Sequence, residues 1–294
     1  MNNRYLLFLM LLFVAGCENS KTKTMETKTK SIPLKTDTIA GYAPVNGINM
    51  YYEIHGTGEP LVLIHGGGST IQTSFGRILP VLEQQFKVIA VELQAHGHTS
   101  DRNSPESFEQ DADDVAALMK HLSINKAHFL GFSNGGNTAM RIAMRHPELV
   151  NKLVLISSFY KREGMVPGFF EGMQHATLDN MPELLKSNYL KINNDDKGLL
   201  NMFTKDRDRM LQFRDWSDDE LRSIKAPSFL ICGDHDVMTP EHTIKMSQLI
   251  PNAQLMILPG THGSFIGEIC SVVEGSKIPE MSVVAIEEFL NKPI

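Results

Sequence analysis

The chain has 294 residues, of which 42% are hydrophobic and 21% are charged, and its formal net charge is −6. This length suits one large domain with a sizeable apolar core. The mildly acidic balance, with no basic stripe after residue 40, argues against a nucleic-acid partner.

The first 17 residues are not expected to join the fold. Arg4 precedes an apolar run over residues 6–14, which is too short to cross a bilayer as a helix of the mature protein. Small residues stand directly before Cys17, as in the signal of bacterial lipoproteins, whose cysteine is lipidated and becomes the new N-terminus. This resemblance implies a lipid-anchored protein of the bacterial cell envelope, outside the cytoplasm, on the periplasmic side or the cell surface. An ordinary secretory signal and an uncleaved anchor are the alternatives.

Residues 18–40 are polar and rich in lysine and threonine, so they cannot bury enough apolar surface to fold. We predict a flexible tether that acts as a solvated spacer. The folded core would then occupy residues 41–158 and 225–294, with a separate segment at 159–224.

Strand patterns dominate the first part of the core. Runs at 42–45 and 48–54 flank an Asn-Gly pair, which predicts a tight hairpin. The apolar run 61–64 predicts a buried strand and leads into His65 and three glycines, and a further strand is expected at 86–91. Glycines at such a position let the backbone approach a reacting atom and present N–H groups to it.

The loop after the strand at 86–91 contains His96 and His98. A metal pair is disfavoured because no third ligand lies nearby with metal-site spacing. We therefore predict neither a metal nor a cofactor. The following segment, 108–122, has the period of an amphipathic helix, and its aspartates at 111, 113 and 114 are expected on a solvated face.

The stretch at 127–136 carries the strongest chemical signal. An apolar run is followed by GFSNG at 131–135 and then by a helical pattern, which is the G-x-S-x-G nucleophile elbow with its strand and helix. Ser133 on so tight a turn has a strained backbone, and Gly131 and Gly135 supply neighbours without side chains. The amide of Asn134 opens the helix and can face a developing oxyanion.

The elbow, the glycine loop and the alternation of strands and helices resemble the serine hydrolases of the α/β-hydrolase fold, over roughly residues 42–290. The resemblance implies an α/β class fold with a mostly parallel central sheet flanked by helices and an inserted helical lid at 159–224. It also implies a second oxyanion donor, the N–H of the residue after His-Gly, which is Gly67. The alternation by itself requires right-handed crossovers and a largely parallel sheet.

The segment 159–224 has no strand signal and is rich in methionine and phenylalanine at helical spacing. Most of these side chains are expected to pack within the segment and against the core. Since such residues adapt to apolar ligands, we expect a small apolar or aromatic acyl substrate.

Two further residues complete a triad in the family's order. The apolar strand at 227–232 precedes a G-x-x-D pattern that places the acid at Asp236, with Asp234 as the nearby rival. After the strand at 254–258, His262 stands where the family has its general base. A carboxylate is needed there to fix the tautomer of the imidazole and to stabilise its charged form.

The resulting hypothesis is a hydrolase that cleaves a carboxylic ester through a Ser133-His262-Asp236 triad and an acyl-enzyme. Lactones and carbon–carbon bonds beside a ketone are alternative substrates of the same triad. A ligand-binding or sensory lipoprotein with slow turnover is the rival from another class. The sequence leaves open the oligomeric state and whether Cys232 and Cys270 form a disulfide.

Overall fold

The computed structural model describes residues 38–293. The predicted signal at 1–17, including Cys17, and the tether as far as residue 37 lie outside this range. The first strand begins at Ile39, two residues inside the segment predicted as tether. Its first residues, Ile39 and Ala40, pair with Ile54 and Glu53 of the next strand, and this backbone pairing draws them into the fold.

Eight strands lie within the described residues: β1 (Ile39–Val45), β2 (Ile48–His55), β3 (Glu59–Ile64), β4 (Phe86–Val91), β5 (Ala127–Phe132), β6 (Val150–Ile156), β7 (Ser228–Gly233) and β8 (Ala253–Leu258). They form one sheet in the order β1-β2-β4-β3-β5-β6-β7-β8. β2 is antiparallel to β1 and β4, and the other neighbouring pairs are parallel. The mostly parallel sheet is confirmed. The predicted hairpin is also present, with positive φ at both Asn46 and Gly47.

The α-helices of the same residues are α1 (Ile71–Phe75), α2 (Leu79–Leu82), α3 (Phe108–His121), α4 (Asn134–Arg145), α5 (Phe169–Gln174), α6 (Glu183–Asn193), α7 (Asp196–Leu211), α8 (Asp218–Ser223), α9 (Pro240–Leu249) and α10 (Ile278–Asn291). Helices α5 to α8 fill the stretch between β6 and β7, where the sequence lacks a strand signal. The start of α9 is set by the Thr239 side chain, which accepts the N–H of His242, and by proline at the first helical position.

The central strands are buried on both faces, because successive side chains point to opposite sides of the sheet. Val62 and Ile64 of β3 face a cluster that includes α3 and α4. Leu61 and Leu63 face a second cluster that includes α1, α2 and α10. Two apolar layers explain why β3 has a continuous apolar run at 61–64 and not an alternating pattern.

One prediction for α3 is wrong. Asp111 and Asp114 are buried, and only Asp113 retains moderate exposure. Asp111 accepts a hydrogen bond from Arg209 at 2.7 Å, and Asp114 pairs with Arg102. The acidic residues therefore do not form a solvated face, because arginines from distant parts of the chain neutralise two of them inside the protein.

The parallel strands end together at one edge of the sheet. Ile64 of β3 lies opposite Gly131 of β5, so the glycine loop after β3 and the elbow after β5 are neighbours. The segments after β7 and β8 emerge at the same edge, where ligands of open parallel sheets bind.

Candidate active site

Ser133 lies at the turn between β5 and α4, with φ 55° and ψ −122°, which is a strained conformation for a residue with a side chain. A Cβ atom at Gly131 would lie 2.1 Å from the carbonyl oxygen of Gly135. One at Gly135 would lie 2.1 Å from the carbonyl oxygen of Ile64. The turn therefore requires glycine on both sides of the serine, as the motif predicts.

The structure brings the predicted hydroxyl, imidazole and carboxylate together. Nε2 of His262 lies 3.0 Å from Oγ of Ser133, and Nδ1 of His262 lies 2.7 Å from Oδ1 of Asp236. When Nδ1 carries the proton and donates a hydrogen bond to the carboxylate, Nε2 is unprotonated and can accept the proton of the hydroxyl. The rival Asp234 instead accepts the N–H of Gly260 and makes no hydrogen bond to His262 within the described residues.

The carboxylate of Asp236 is buried and held by several donors. Oδ2 accepts the hydroxyl of Ser157 at 2.5 Å and the N–H of Gly233 at 3.2 Å, and Oδ1 accepts the N–H of Val237 at 2.7 Å. Burial by itself would raise the pKa of Asp236, but the hydrogen bond and charge of His262, followed by the hydroxyl of Ser157, lower it below its usual range. The group is thus a fixed anion beside the imidazole. Ser157 directly follows β6, and no sequence motif predicts its hydrogen bond to Asp236.

The glycine loop is locked by His65. Its Nδ1 donates to the carbonyl oxygen of Gly66 at 2.7 Å, and its Nε2 accepts the N–H of Leu93 at 3.0 Å. The imidazole is therefore neutral, and burial, together with the nearby charge of His96, lowers its pKa to about 3. Within residues 38–293, neither the N–H of Gly67 nor that of Asn134 donates a hydrogen bond. Unengaged backbone donors beside the nucleophile are what an oxyanion site requires.

Two cavities meet at Ser133. The first has a volume of about 340 Å³, and its wall contains Phe159, Met165, Phe169, Met173, Met181, Leu185, Met202, Phe203, Met210 and Met238. The second has a volume of about 450 Å³ and also reaches His262 and Gly67, but its wall includes Thr261, Glu268, Cys270 and Ser271. A carbonyl carbon placed at Ser133 could extend one substituent into each cavity.

Comparison with known proteins agrees with this architecture. A family model described as alpha/beta hydrolase fold matches residues 59–198. A putative esterase/lipase from Haemophilus influenzae is 25% identical over 259 residues, which cover 79% of this chain and 83% of the relative. A serine hydrolase from Homo sapiens is 36% identical over 126 residues, which cover 41% of this chain and 43% of that protein.

Solved structures share the fold over most of the chain. A meta-cleavage product hydrolase from Pseudomonas fluorescens superposes with a TM-score of 0.70 at 22% identity, covering 86% of this chain and 97% of the other. An enol-lactonase from Burkholderia xenovorans gives a TM-score of 0.66 at 24% identity, covering 85% of this chain and 100% of the other. The chain has the alpha/beta hydrolase fold.

The loop after β4 is held by a buried glutamate. Oε2 of Glu92 accepts the N–H of His98 at 2.6 Å and lies 2.9 Å from its Nδ1, while the imidazole stacks on Tyr51 with the ring centres 4.2 Å apart. Glu92 thus holds the loop through the backbone and the side chain of His98. His96 points to a different set of partners, so the two histidines do not form a pair. No group of three or more potential metal-ligating side chains was found in residues 38–293.

Sequence reasoning missed a charged cluster beside Ser133. Asp206 of α7 lines the apolar cavity and contacts His96, Arg209 and the glycine loop. A signal was present in α7, where Asp206 and Arg209 fall on the same helical face as Leu199 and Met202. Charged residues at inward positions of a helix indicate buried partners elsewhere in the chain.

The two cysteines within the described part of the hydrolase, Cys232 and Cys270, are both free thiols. Cys232 is buried, as a small apolar side chain in β7 would be, and Cys270 is exposed. Between residues 38 and 293, no helix has the length and apolar character needed to cross a membrane.

Proposed function

We propose that the protein is a serine hydrolase that cleaves a carboxylic ester or a related acyl substrate. The observation that carries this proposal is the continuous chain from Ser133 through His262 to Asp236, with contacts of 3.0 Å and 2.7 Å. Each partner is within hydrogen-bond reach, and the order of the groups is that of nucleophile, base and orienting acid.

In the proposed reaction, Nε2 of His262 takes the proton of Ser133 while Oγ attacks the carbonyl carbon. The resulting oxyanion accepts hydrogen bonds from the N–H groups of Gly67 and Asn134. His262 then gives its proton to the leaving group, and an acyl-enzyme remains. A water molecule repeats the attack, with His262 as base, and releases the acid. Asp236 keeps its negative charge throughout and stabilises the imidazolium.

The two cavities can hold the two sides of an ester separately. The first, lined mainly by methionine and phenylalanine side chains, suits an apolar or aromatic acyl group. The second has hydroxyl and carboxyl groups beside apolar side chains such as Phe132 and Leu185, so it can take the leaving group. We therefore expect esters of small apolar acids to be better substrates than sugars or phosphates.

Replacement of Ser133 tests the proposal. Wild-type protein lacking residues 1–17 should hydrolyse short p-nitrophenyl esters over many turnovers and be labelled by a fluorophosphonate. Ser133→Ala should lose labelling, and its kcat should fall by roughly 10⁴-fold or more, because the nucleophile is removed. Ser223→Ala, which changes an exposed serine on α8, serves as the control and should retain both properties. Unchanged hydrolysis by Ser133→Ala would refute the proposal.

The same assay separates the alternatives. Labelling of the wild-type serine with no multiple turnover would favour a ligand-binding or sensory lipoprotein. If a lactone, or a ketone with a cleavable carbon–carbon bond, is turned over faster than any open-chain ester, that compound class and not the ester is the substrate of the triad. An enol-lactonase and a meta-cleavage product hydrolase are among the structural neighbours, which share the fold at under 25% identity.

A further inference from the structure

One carboxylate connects the helical segment α5 to α8 with Asn134, which carries one proposed oxyanion donor, and with Gly68, the neighbour of the other, Gly67. Oδ2 of Asp206, on α7, accepts the N–H of Gly68 at 2.5 Å, the peptide next to Gly67. Oδ1 of the same side chain accepts the side-chain amide of Asn134 at 3.4 Å. The helix thus contacts the site through a group that reaches the two loops around the nucleophile.

The glycine loop is packed against this carboxylate. A Cβ atom at Gly67 would lie 2.5 Å from Nδ2 of Asn134 and 3.0 Å from Oδ2 of Asp206. Gly68 has a φ of 66°, which a residue with a side chain rarely adopts. The glycine loop therefore packs closely against Asp206 where it passes Ser133.

A bare carboxylate here would repel a developing oxyanion, but its charge is neutralised. Nδ1 of His96 donates to the carbonyl oxygen of Gln94 at 2.8 Å, and Nε2 faces Oδ2 of Asp206 at 2.9 Å. The N–H of Gly68 also lies 3.1 Å from Nε2, so it stands between His96 and Asp206. Burial lowers the pKa of His96, but the charge of Asp206 raises it to about 9, so the imidazole is a cation whose Nε2 proton faces the carboxylate. Arg209 also donates to Oδ1 of Asp206. The buried cations His96 and Arg209 thus flank Asp206. They compensate its charge, and its carboxylate still accepts hydrogen bonds from the glycine loop.

We propose that Asp206 is a positioning residue that couples the seating of α7 on the hydrolase core to the formation of the oxyanion site, by fixing the Gly67–Gly68 peptide segment through the N–H of Gly68. This inference rests on the proposed serine hydrolase activity. When α7 is seated, the N–H of Gly67 stays directed at the position of the oxyanion. When α7 moves away, the N–H of Gly68 loses its carboxylate acceptor and keeps only the longer contact of 3.1 Å with Nε2 of His96, so the loop is less restrained. Hydrolysis is thereby restricted to the closed, substrate-filled cavity.

The test compares Asp206→Asn with Asp196→Asn in the full chain. Asp196 lies on the same helix but is exposed at its first turn, so it controls for the chemical change. For a p-nitrophenyl ester, Asp206→Asn should lower kcat by about 10- to 100-fold with KM within about threefold, because the transition state and not the bound ester needs the oxyanion donors. Asp196→Asn should match the wild-type protein.

A second readout reports the oxyanion directly. Binding of a trifluoromethyl ketone, which forms a tetrahedral oxyanion on the serine, should weaken in Asp206→Asn by the same factor as kcat falls. An unchanged kcat would overturn the proposal. So would a fall in kcat with unchanged ketone affinity, since a merely structural role would then be sufficient.

Asp206 is buried, so its replacement can prevent folding, and a measurement on the wild-type protein covers that outcome. On binding the ketone, amide hydrogen exchange should slow together in residues 66–69 and in α7. Slowing in the loop alone would overturn the coupling. Absence of fluorophosphonate labelling in the wild-type protein would instead remove the proposed hydrolase activity itself, so the two failures are distinguishable.

Discussion

At the scale of single residues, hydrogen bonds distinguish the two aspartates that could orient the proposed base. Asp234 and Asp236 both follow β7, but only the carboxylate of Asp236 contacts Nδ1 of His262. The hydroxyl of Ser157 and two backbone N–H groups saturate the remaining capacity of that carboxylate. Such a fixed, buried anion holds one imidazole tautomer, which the base needs before each attack.

Asp236→Asn should therefore lower kcat by about 10³- to 10⁴-fold, because the asparagine amide no longer selects the tautomer with a free Nε2. Hydrolysis of a p-nitrophenyl ester under saturating substrate measures the change. Asp234→Asn is the matched control, and its kcat should stay within about twofold of the wild-type value. Equal losses in the two variants would show that the assignment of the acid to Asp236 is wrong.

At the scale of secondary-structure elements, α7 meets the loop after β4 through buried charges. Nε2 of His96 lies 2.9 Å from Asp206 of α7, its ring centre lies 5.0 Å from that of the neutral His65, and the charges of Glu106 and Asp111 are also near. Burial would lower the pKa of His96, but the charge and hydrogen bond of Asp206 raise it to about 9. Burial has the opposite effect on the two carboxyl groups. It raises the pKa of Glu106 to about 8 and that of Asp111 to about 6, despite the attraction of Arg209.

These shifts make stability depend on pH with a definite sign. A group whose pKa is higher in the folded state than in the unfolded state binds more protons in the folded state. It therefore stabilises the fold fully at a pH below its pKa in the unfolded state, and this stabilisation is lost as the pH rises through its pKa in the folded state. For His96, a rise from about 6.5 to about 9 predicts that the free energy of unfolding falls by about 3 kcal/mol across that window.

Urea denaturation of the wild-type protein and His96→Gln at pH 6.5, 7.5 and 9 tests this expectation. The wild-type protein should lose more stability than the variant as pH rises, since glutamine cannot carry the proton. His121→Gln, a change at an exposed position at the end of α3, should follow the wild-type curve. Parallel curves for wild-type and His96→Gln would contradict the expected charge on His96.

At the scale of the whole molecule, we propose that the hydrolase is held at a membrane by a lipid on Cys17 and by the polar segment that follows it. The support is the sequence alone, since an apolar run and small residues precede this cysteine. The segment from residue 18 to the first strand at Ile39 is long enough, at roughly 3.3 Å per residue when extended, to keep the active site away from the bilayer. Several acyl chains would anchor the protein more firmly than a single chain.

Replacement of Cys17 by serine tests the anchor in bacterial cells grown with labelled palmitate. The wild-type chain should incorporate the label and fractionate with membranes, and Cys17→Ser should incorporate none, because no thiol remains for acylation. Cys270→Ser removes a different, exposed thiol and should leave labelling intact. Labelling that persists in Cys17→Ser would mean that another residue carries the lipid, or that the signal is of another class.

Much of the fold and of the proposed site follows from local sequence. The strands β3 to β8, the hairpin at residues 46 and 47, and the elbow around Ser133 are short-range features, because burial, turn geometry and close backbone approach select particular residue types within a few positions. Gly131 and Gly135 show this directly, since a side chain at either position would collide with backbone.

Other features depend on residues that are far apart in the sequence. The contacts of Asp206 with His96, of Asp111 with Arg209, and of Ser157 with Asp236 span about 80 to 110 positions. The free energy of burying a charge is set by its partner, and no local pattern identifies that partner. The sequence by itself therefore determined the sheet, the elbow and the residue types of the triad. Only the tertiary structure decided which acidic groups are buried, which cations neutralise them, and how α7 contacts the loops beside the nucleophile.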